Sequence, residues 1–126
     1  MIVRLSRQRF ERLVVDALDA IPEAIARRLD NVEVVVEPAP SRAQLREMDV
    51  PPGETLLGLY QGIPLTERNT HYGLVLPDKI TVFQRPIEDL CASEDEVRQQ
   101  VAHTVIHEFA HFFGISDDQL RNMSVY

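Results

Sequence analysis

Residues 107–117 read HEFAHFFGISD and so have the pattern HExxHxxGxxD. Two histidines four residues apart in an α-helix lie on the same face, about 6 Å apart along the axis. Both imidazoles can therefore reach one metal ion at about 2.0–2.1 Å. Glu108 is rotated by about 100° from His107, which lets its carboxylate address a water on the metal without binding the metal. The pattern predicts a helix with a hydrolytic zinc site, in which His107 and His111 are ligands and Glu108 is the base.

A third protein ligand is needed, because catalytic zinc usually takes three and leaves the fourth position to water. We predict that Asp117 is this ligand. In a continuous helix Asp117 would lie about 9 Å beyond His111 along the axis, which is too far. Gly114 removes this obstacle, since glycine after a helix end adopts the left-handed conformation that reverses the chain. Asp118 and His71 are the alternative ligands.

The predicted helix has separate apolar and histidine-bearing faces. His103, His107 and His111 share one face, and His103 lies about 12 Å along the axis from His111, too far for the three to hold one ion. We therefore expect His103 to support the ligands or to have a structural role. The opposite arc of about 140° predicts a buried face. It contains Val101, Ala102, Val105, Ile106, Phe109, Phe112 and Phe113.

The rest of the chain alternates helical and strand patterns without an internal repeat. Ser-x-x-Gln and Ser-x-x-Glu sequences at Ser41, Ser93 and Ser116 are capping boxes that mark helix starts. Residues 61–72 form a long polar connection of the kind that often carries function. The predicted elements are a helix from the Ser6 cap to about Ala20, a helix over 23–29, a buried strand over 32–36, a helix from Ser41 to about Met48, strands over 55–60, 74–76 and 80–83, and the zinc helix that opens at Ser93.

Length, net charge and cysteine content limit the kinds of protein that this chain can be. We expect one domain over residues 1–126, because a chain of this length can bury about two thirds of its unfolded surface. The net charge of −7 disfavours nucleic acid as a partner. Cys91 is the only cysteine, and we find no apolar leader or membrane-length run, so we expect a cytoplasmic protein without a membrane partner.

The chain resembles the small bacterial zincin-like metallopeptidase family. This resemblance implies an α+β fold, a minimal zincin-like domain in which a small mixed sheet packs against helices that include the zinc-binding helix. Aspartate as the third ligand is similar to a minority branch of zincins. Besides HExxHxxGxxD, the matching segments are LLGLY at 56–60, GIPL at 62–65, LPD at 76–78, ITVF at 80–83 and RPIE at 85–88.

These patterns predict a metallopeptidase with one Zn²⁺ per chain. The metal activates a water, Glu108 acts as general base, and a peptide or protein is the substrate. The edge of the strand at 80–83 is predicted to pair with an extended peptide.

Some assignments stay open at this point. The alternatives to a peptidase are a zinc hydrolase of a non-peptide amide and a catalytically silent, metal-stabilised protein-interaction module. The substrate and the oligomeric state are left open as well. The candidates for stabilising the oxyanion are Tyr60, Arg68, His71 and Tyr72.

Overall fold

The computed structural model describes residues 2–62 and 77–122. The predicted strand at 74–76 and the candidate residues Arg68, His71 and Tyr72 lie outside this range. The elements are α1 (Arg7–Asp19), α2 (Glu23–Ala26), a 3₁₀ turn (Arg27–Leu29), β1 (Val32–Glu37), α3 (Arg42–Glu47), β2 (Gly58–Gln61), β3 (Asp78–Phe83), α4 (Gln84–Glu88), α5 (Glu94–Phe112) and α6 (Asp117–Asn122). The predicted helices are confirmed, whereas the strand predicted over 55–60 begins only at Gly58.

Within the described residues the strands form one small mixed sheet, so the α+β prediction is confirmed. The order is β1-β3-β2, with β1 parallel and β2 antiparallel to β3. Ile80 in β3 is paired with Val34 on one side and Tyr60 on the other. The prediction that this strand offers an edge to a peptide is therefore wrong. Sequence pattern does not report lateral pairing, and β3 is the central strand.

Strand β1 is less buried than the sequence predicts. Its run of valines predicted a buried strand, but within the described β1 only Val36 is buried. Among the described strands, β1 is an outer strand of the sheet and pairs with β3 alone, so it is less enclosed than the central strand.

The core lies between the sheet and the helices α1 and α5. Every third or fourth residue of α5 is buried there, including Val97, Val101, Val105 and Phe109. Phe112 and Phe113, predicted in the same apolar arc, are half exposed. That part of the prediction is wrong, because a helical wheel assumes that the covering layer extends to the end of the helix. Within the described residues, no helix combines the length and apolarity needed to cross a bilayer.

The short helix α4 contains a buried acid that the sequence did not reveal. Glu88 is fully buried, and its Oε2 accepts hydrogen bonds from the Leu5 backbone N–H (3.2 Å) and from Gln84 Nε2 (2.9 Å). Gln84 Nε2 also donates to the Leu5 carbonyl (2.9 Å). These bonds attach the segment before α1 to α4.

An ion pair between Arg9 on α1 and Glu94 at the start of α5 predicts a pH-dependent stability. The Arg9 Nε lies 2.9 Å from Glu94 Oε2, and this hydrogen bond lowers the pKa of the Glu94 carboxyl. The pair stabilises the fold above the ordinary glutamate pKa of about 4.3, and the contribution is lost as the pH falls through the lowered pKa.

Urea unfolding between about pH 7 and pH 2 measures this effect. The coupling, taken from Arg9→Met, Glu94→Gln and the double variant, is expected to vanish at the acidic end. A coupling of equal size at both ends would contradict the assignment.

Candidate metal centre and catalytic cleft

The site begins with a close approach of helix α5 to strand β2. Gly58 makes this approach possible. A Cβ at Gly58 would lie 2.7 Å from Thr104 Cγ2, 3.1 Å from the Thr81 carbonyl oxygen and 3.4 Å from Glu108 Cγ. Any side chain at this position would push the helix away from the strand. The helix therefore packs closely on β2 about one turn before the HExxH residues.

Glu108 projects from α5 onto the edge of β2. Its Oε1 accepts a hydrogen bond from the backbone N–H of Tyr60 at 3.2 Å. The side chain is half buried, and burial raises the pKa of the Glu108 carboxyl, while the Tyr60 N–H and nearby His111 partly oppose the shift. Burial thus makes Glu108 a stronger proton acceptor than an exposed glutamate, as a general base requires.

The histidines of α5 lie along one side of the helix, as predicted. His107 is half buried, whereas His103 and His111 are exposed. The rings of His103 and His107 pack with centroids 4.0 Å apart. Burial and the neighbouring His107 lower the pKa of His103. His103 therefore contacts a predicted ligand, in line with the expected supporting role.

Gly114 ends α5 as the sequence predicts. Its φ is +68°, and a Cβ there would meet nothing within 4 Å, so the requirement for glycine comes from the backbone conformation. The Ile115 N–H donates to the Ala110 carbonyl (2.8 Å) and the Gly114 N–H to the His111 carbonyl (3.3 Å). This pair of bonds is the Schellman motif, which turns the chain back along the helix.

Asp117 follows this reversal as the first residue of α6. Ser116 caps α6 reciprocally with Gln119: the Ser116 N–H donates to Gln119 Oε1 (2.8 Å), and the Gln119 N–H donates to Ser116 Oγ (3.2 Å). The charge of Asp117 favours the protonated form of His103 and so acts to raise its pKa. The reversal therefore carries Asp117 back toward the histidine-bearing face. Asp118 is exposed and lies 2.9 Å from Arg121.

The three predicted ligands have the chemistry that zinc requires. Two imidazole nitrogens and a carboxylate form the donor set of an open catalytic zinc site. Within residues 2–62 and 77–122, however, no three His, Cys, Asp or Glu side chains form a group that could hold a metal. The donor types fit zinc, although their side chains do not form a preformed group in the described residues. The ligand set stays a prediction.

A cleft of about 200 Å³ opens beside Glu108 and His111. Its remaining walls come from three other parts of the fold. They are Met48 after α3, Leu59 and Tyr60 of β2, and Phe112 at the end of α5. The cleft thus joins the predicted base and one predicted ligand to a largely apolar wall.

Among the predicted oxyanion stabilisers, Tyr60 is the one that the structure describes. Its hydroxyl donates to Asp78 Oδ2 at 2.8 Å, and its ring stacks on Phe112 with centroids 4.1 Å apart. Tyr60 contacts Glu108 through its backbone N–H, and the sequence did not predict this contact. The sequence analysis also missed Met48, because no local pattern connects it with Glu108, which lies 60 residues later in the chain.

Comparison with known proteins identifies the family of the chain. The sequence model of the zincin-like metallopeptidase family matches residues 29–125 of the 126-residue chain. The chain therefore belongs to the zincin-like metallopeptidase family. None of the curated proteins compared with the chain matches it. The family match begins after α1 and α2, although both helices contribute buried residues to the core.

Gly58→Ala is expected to damage the site from a distance. The added methyl group meets Thr104 and the backbone of Thr81, so we expect a loss of about 1–3 kcal/mol in the free energy of unfolding. We also expect lower activity, because Glu108 moves relative to β2. Gly53→Ala is the control: it meets nothing within 4 Å but has φ +86°, which costs about 1 kcal/mol. Wild-type stability for Gly58→Ala would contradict the close approach.

Proposed function

We propose that this protein is a zinc-dependent metallopeptidase that holds zinc through His107, His111 and Asp117. The observation that carries the proposal is the setting of Glu108. Its carboxylate is half buried, fixed by the Tyr60 N–H, and shares a cleft with His111. A glutamate in the second position of HExxH that is held beside an open cleft can act as a general base. Membership of the zincin-like metallopeptidase family supports the same conclusion.

Bound zinc would supply a Lewis acid that polarises the scissile carbonyl and makes water acidic at neutral pH. The protein's own contribution is to place and move protons. Glu108 takes a proton from the attacking water and delivers it to the nitrogen of the departing amine. The hydrogen bond from the Tyr60 N–H to Oε1 positions the Glu108 carboxylate, which lines the cleft.

The proposed substrate is a peptide or protein. The cleft is open to solvent, and its walls offer a carboxylate, an imidazole and apolar side chains. A general base beside an imidazole suits the cleavage of a neutral amide bond. The acidic net charge opposes binding to the phosphates of nucleic acids.

Metal dependence of peptide cleavage tests the proposal. Protein loaded with zinc is incubated with a mixed peptide library, and new termini are identified by mass spectrometry. We expect cleavage that stops on adding a zinc chelator and returns when zinc is restored. Cleavage that survives chelation would exclude zinc catalysis, and absence of cleavage by the zinc-loaded protein would favour the interaction module.

A further inference from the structure

Apolar side chains are exposed on both sides of the catalytic cleft. Met48 is 45% exposed and Phe112 is 50% exposed, and both line the cleft that contains Glu108 and His111. The buried Leu59 also lines this cleft. Among the described residues that line the cleft, none is lysine or arginine. Large apolar side chains that remain exposed together beside a catalytic group are typical of a binding surface.

Contacts within the protein position the residues that carry these side chains. Phe112 stacks on Tyr60, and Gly62 leaves the space that the ring occupies, because a Cβ there would lie 2.9 Å from Phe112 Cζ. Met48 follows the short helix α3, whose start is fixed by a full capping box between Ser41 and Gln44. The Met48 N–H donates to the Gln44 carbonyl at 3.1 Å. The backbone at Met48 and the ring of Phe112 are therefore positioned by contacts within the protein.

The size of the cleft indicates what it accepts. Its volume of about 200 Å³ lies below the range of about 300–1,000 Å³ that holds a whole drug-sized ligand. It suits one side chain and leaves the rest of a peptide outside. A larger cavity of about 330 Å³ borders His107 on the other side of α5, but its described walls include neither Glu108 nor His111.

We infer that the cleft formed by Met48, Leu59 and Phe112 is a specificity pocket for one apolar side chain adjacent to the scissile bond. The inference rests on the proposed peptidase function. An aliphatic or aromatic side chain fits the walls, and the flexible Met48 thioether adapts to its shape. Entry of this side chain places the neighbouring peptide bond beside Glu108.

Cleavage-site mapping on a mixed peptide library gives the first test. For wild type we expect one position next to the cleaved bond to be enriched in leucine, methionine or phenylalanine by about tenfold over charged residues. Met48→Asp should remove most of this enrichment, and Met48→Leu should keep it. Leu90→Asp is the matched control, because Leu90 is 59% exposed and does not line the cleft. Cleavage without apolar enrichment, or with a preference for arginine or lysine, would overturn the pocket while leaving the peptidase.

Binding of two chelating probes gives a test that does not need turnover. Leucine hydroxamate and glycine hydroxamate share the metal-binding group and differ in the side chain. Titration of zinc-loaded protein should show about tenfold tighter binding of the leucine compound, and Met48→Asp should abolish the difference. This preference without any peptide cleavage would refute the peptidase and retain the pocket. Equal affinity for the two compounds would overturn the pocket, whereas no binding of either would refute the zinc site on which the proposal rests.

Discussion

Glu108→Gln is expected to lower peptide hydrolysis by about 10²–10⁴-fold, the usual contribution of a general base. Glutamine has nearly the same shape and can still accept the Tyr60 N–H, but it cannot take a proton from water. Zinc content should remain that of wild type, because Glu108 is not a predicted ligand. The measurement is the cleavage rate of a peptide found in the library screen, together with the zinc content of each sample.

Stability provides the control for this variant. Burial raises the pKa of Glu108, so its charged form costs free energy in the folded protein at neutral pH. This cost is absent below the ordinary glutamate pKa and appears as the pH rises through the raised pKa. In the zinc-free protein, Glu108→Gln should therefore be as stable as wild type or slightly more stable at neutral pH. Glu33→Gln, the same change at an exposed position, should leave the cleavage rate unaltered.

The rival interaction module predicts a different pattern. If zinc serves only folding or partner binding, the wild type hydrolyses nothing, and Glu108→Gln changes neither stability nor cellular role. Equal cleavage rates for wild type and Glu108→Gln would also contradict the assignment of Glu108 as the base.

Glu88→Ala is expected to give a large loss of stability, about 2–4 kcal/mol in the free energy of unfolding. Removing the carboxylate leaves the Leu5 N–H without its acceptor, and Gln84 loses one of its two acceptors. Arg4 and Arg85 also lie 3.5 Å and 3.7 Å from Glu88 Oε1. Since both arginines are half exposed, we assign most of the loss to the buried hydrogen bonds.

Denaturant unfolding measures this loss. Glu88→Gln should be milder, because the amide oxygen keeps one acceptor. Glu11→Ala on the exposed side of α1 is a control with an expected change within about 0.5 kcal/mol. A loss below about 1 kcal/mol for Glu88→Ala would contradict the role given to this buried acid.

Helix α5 could be predicted from the sequence because the signals that define it are local. Ser93 marks its start, HExxH fixes the face of the histidines, and Gly114 marks the reversal that directs Asp117 back. Each of these features depends on residues within a few turns of one another. Capping and left-handed glycine are properties of the backbone that tertiary packing rarely overrides.

The cleft could not be predicted because its contacts are long-range. The Tyr60 N–H meets Glu108 from 48 positions earlier in the chain. Gly58 owes its importance to a space that exists only after α5 has packed on β2. Glutamate is usually exposed, so the residue type at position 88 gives no reason to expect a buried side chain. The half-exposed Phe112 shows that periodicity predicts a face of the helix, whereas the extent of the covering layer decides which residues on it are buried.

The central claim is that His107, His111 and Asp117 hold one zinc ion. Elemental mass spectrometry of untagged protein, purified without chelator, tests it most directly. We expect about one zinc per chain in wild type, a sharp reduction in Asp117→Ala, and no reduction in Asp118→Ala, whose carboxylate pairs with Arg121 instead. Protein without metal that takes up none on addition of zinc would contradict the account, and equal zinc in wild type and Asp117→Ala would refute Asp117 as the third ligand.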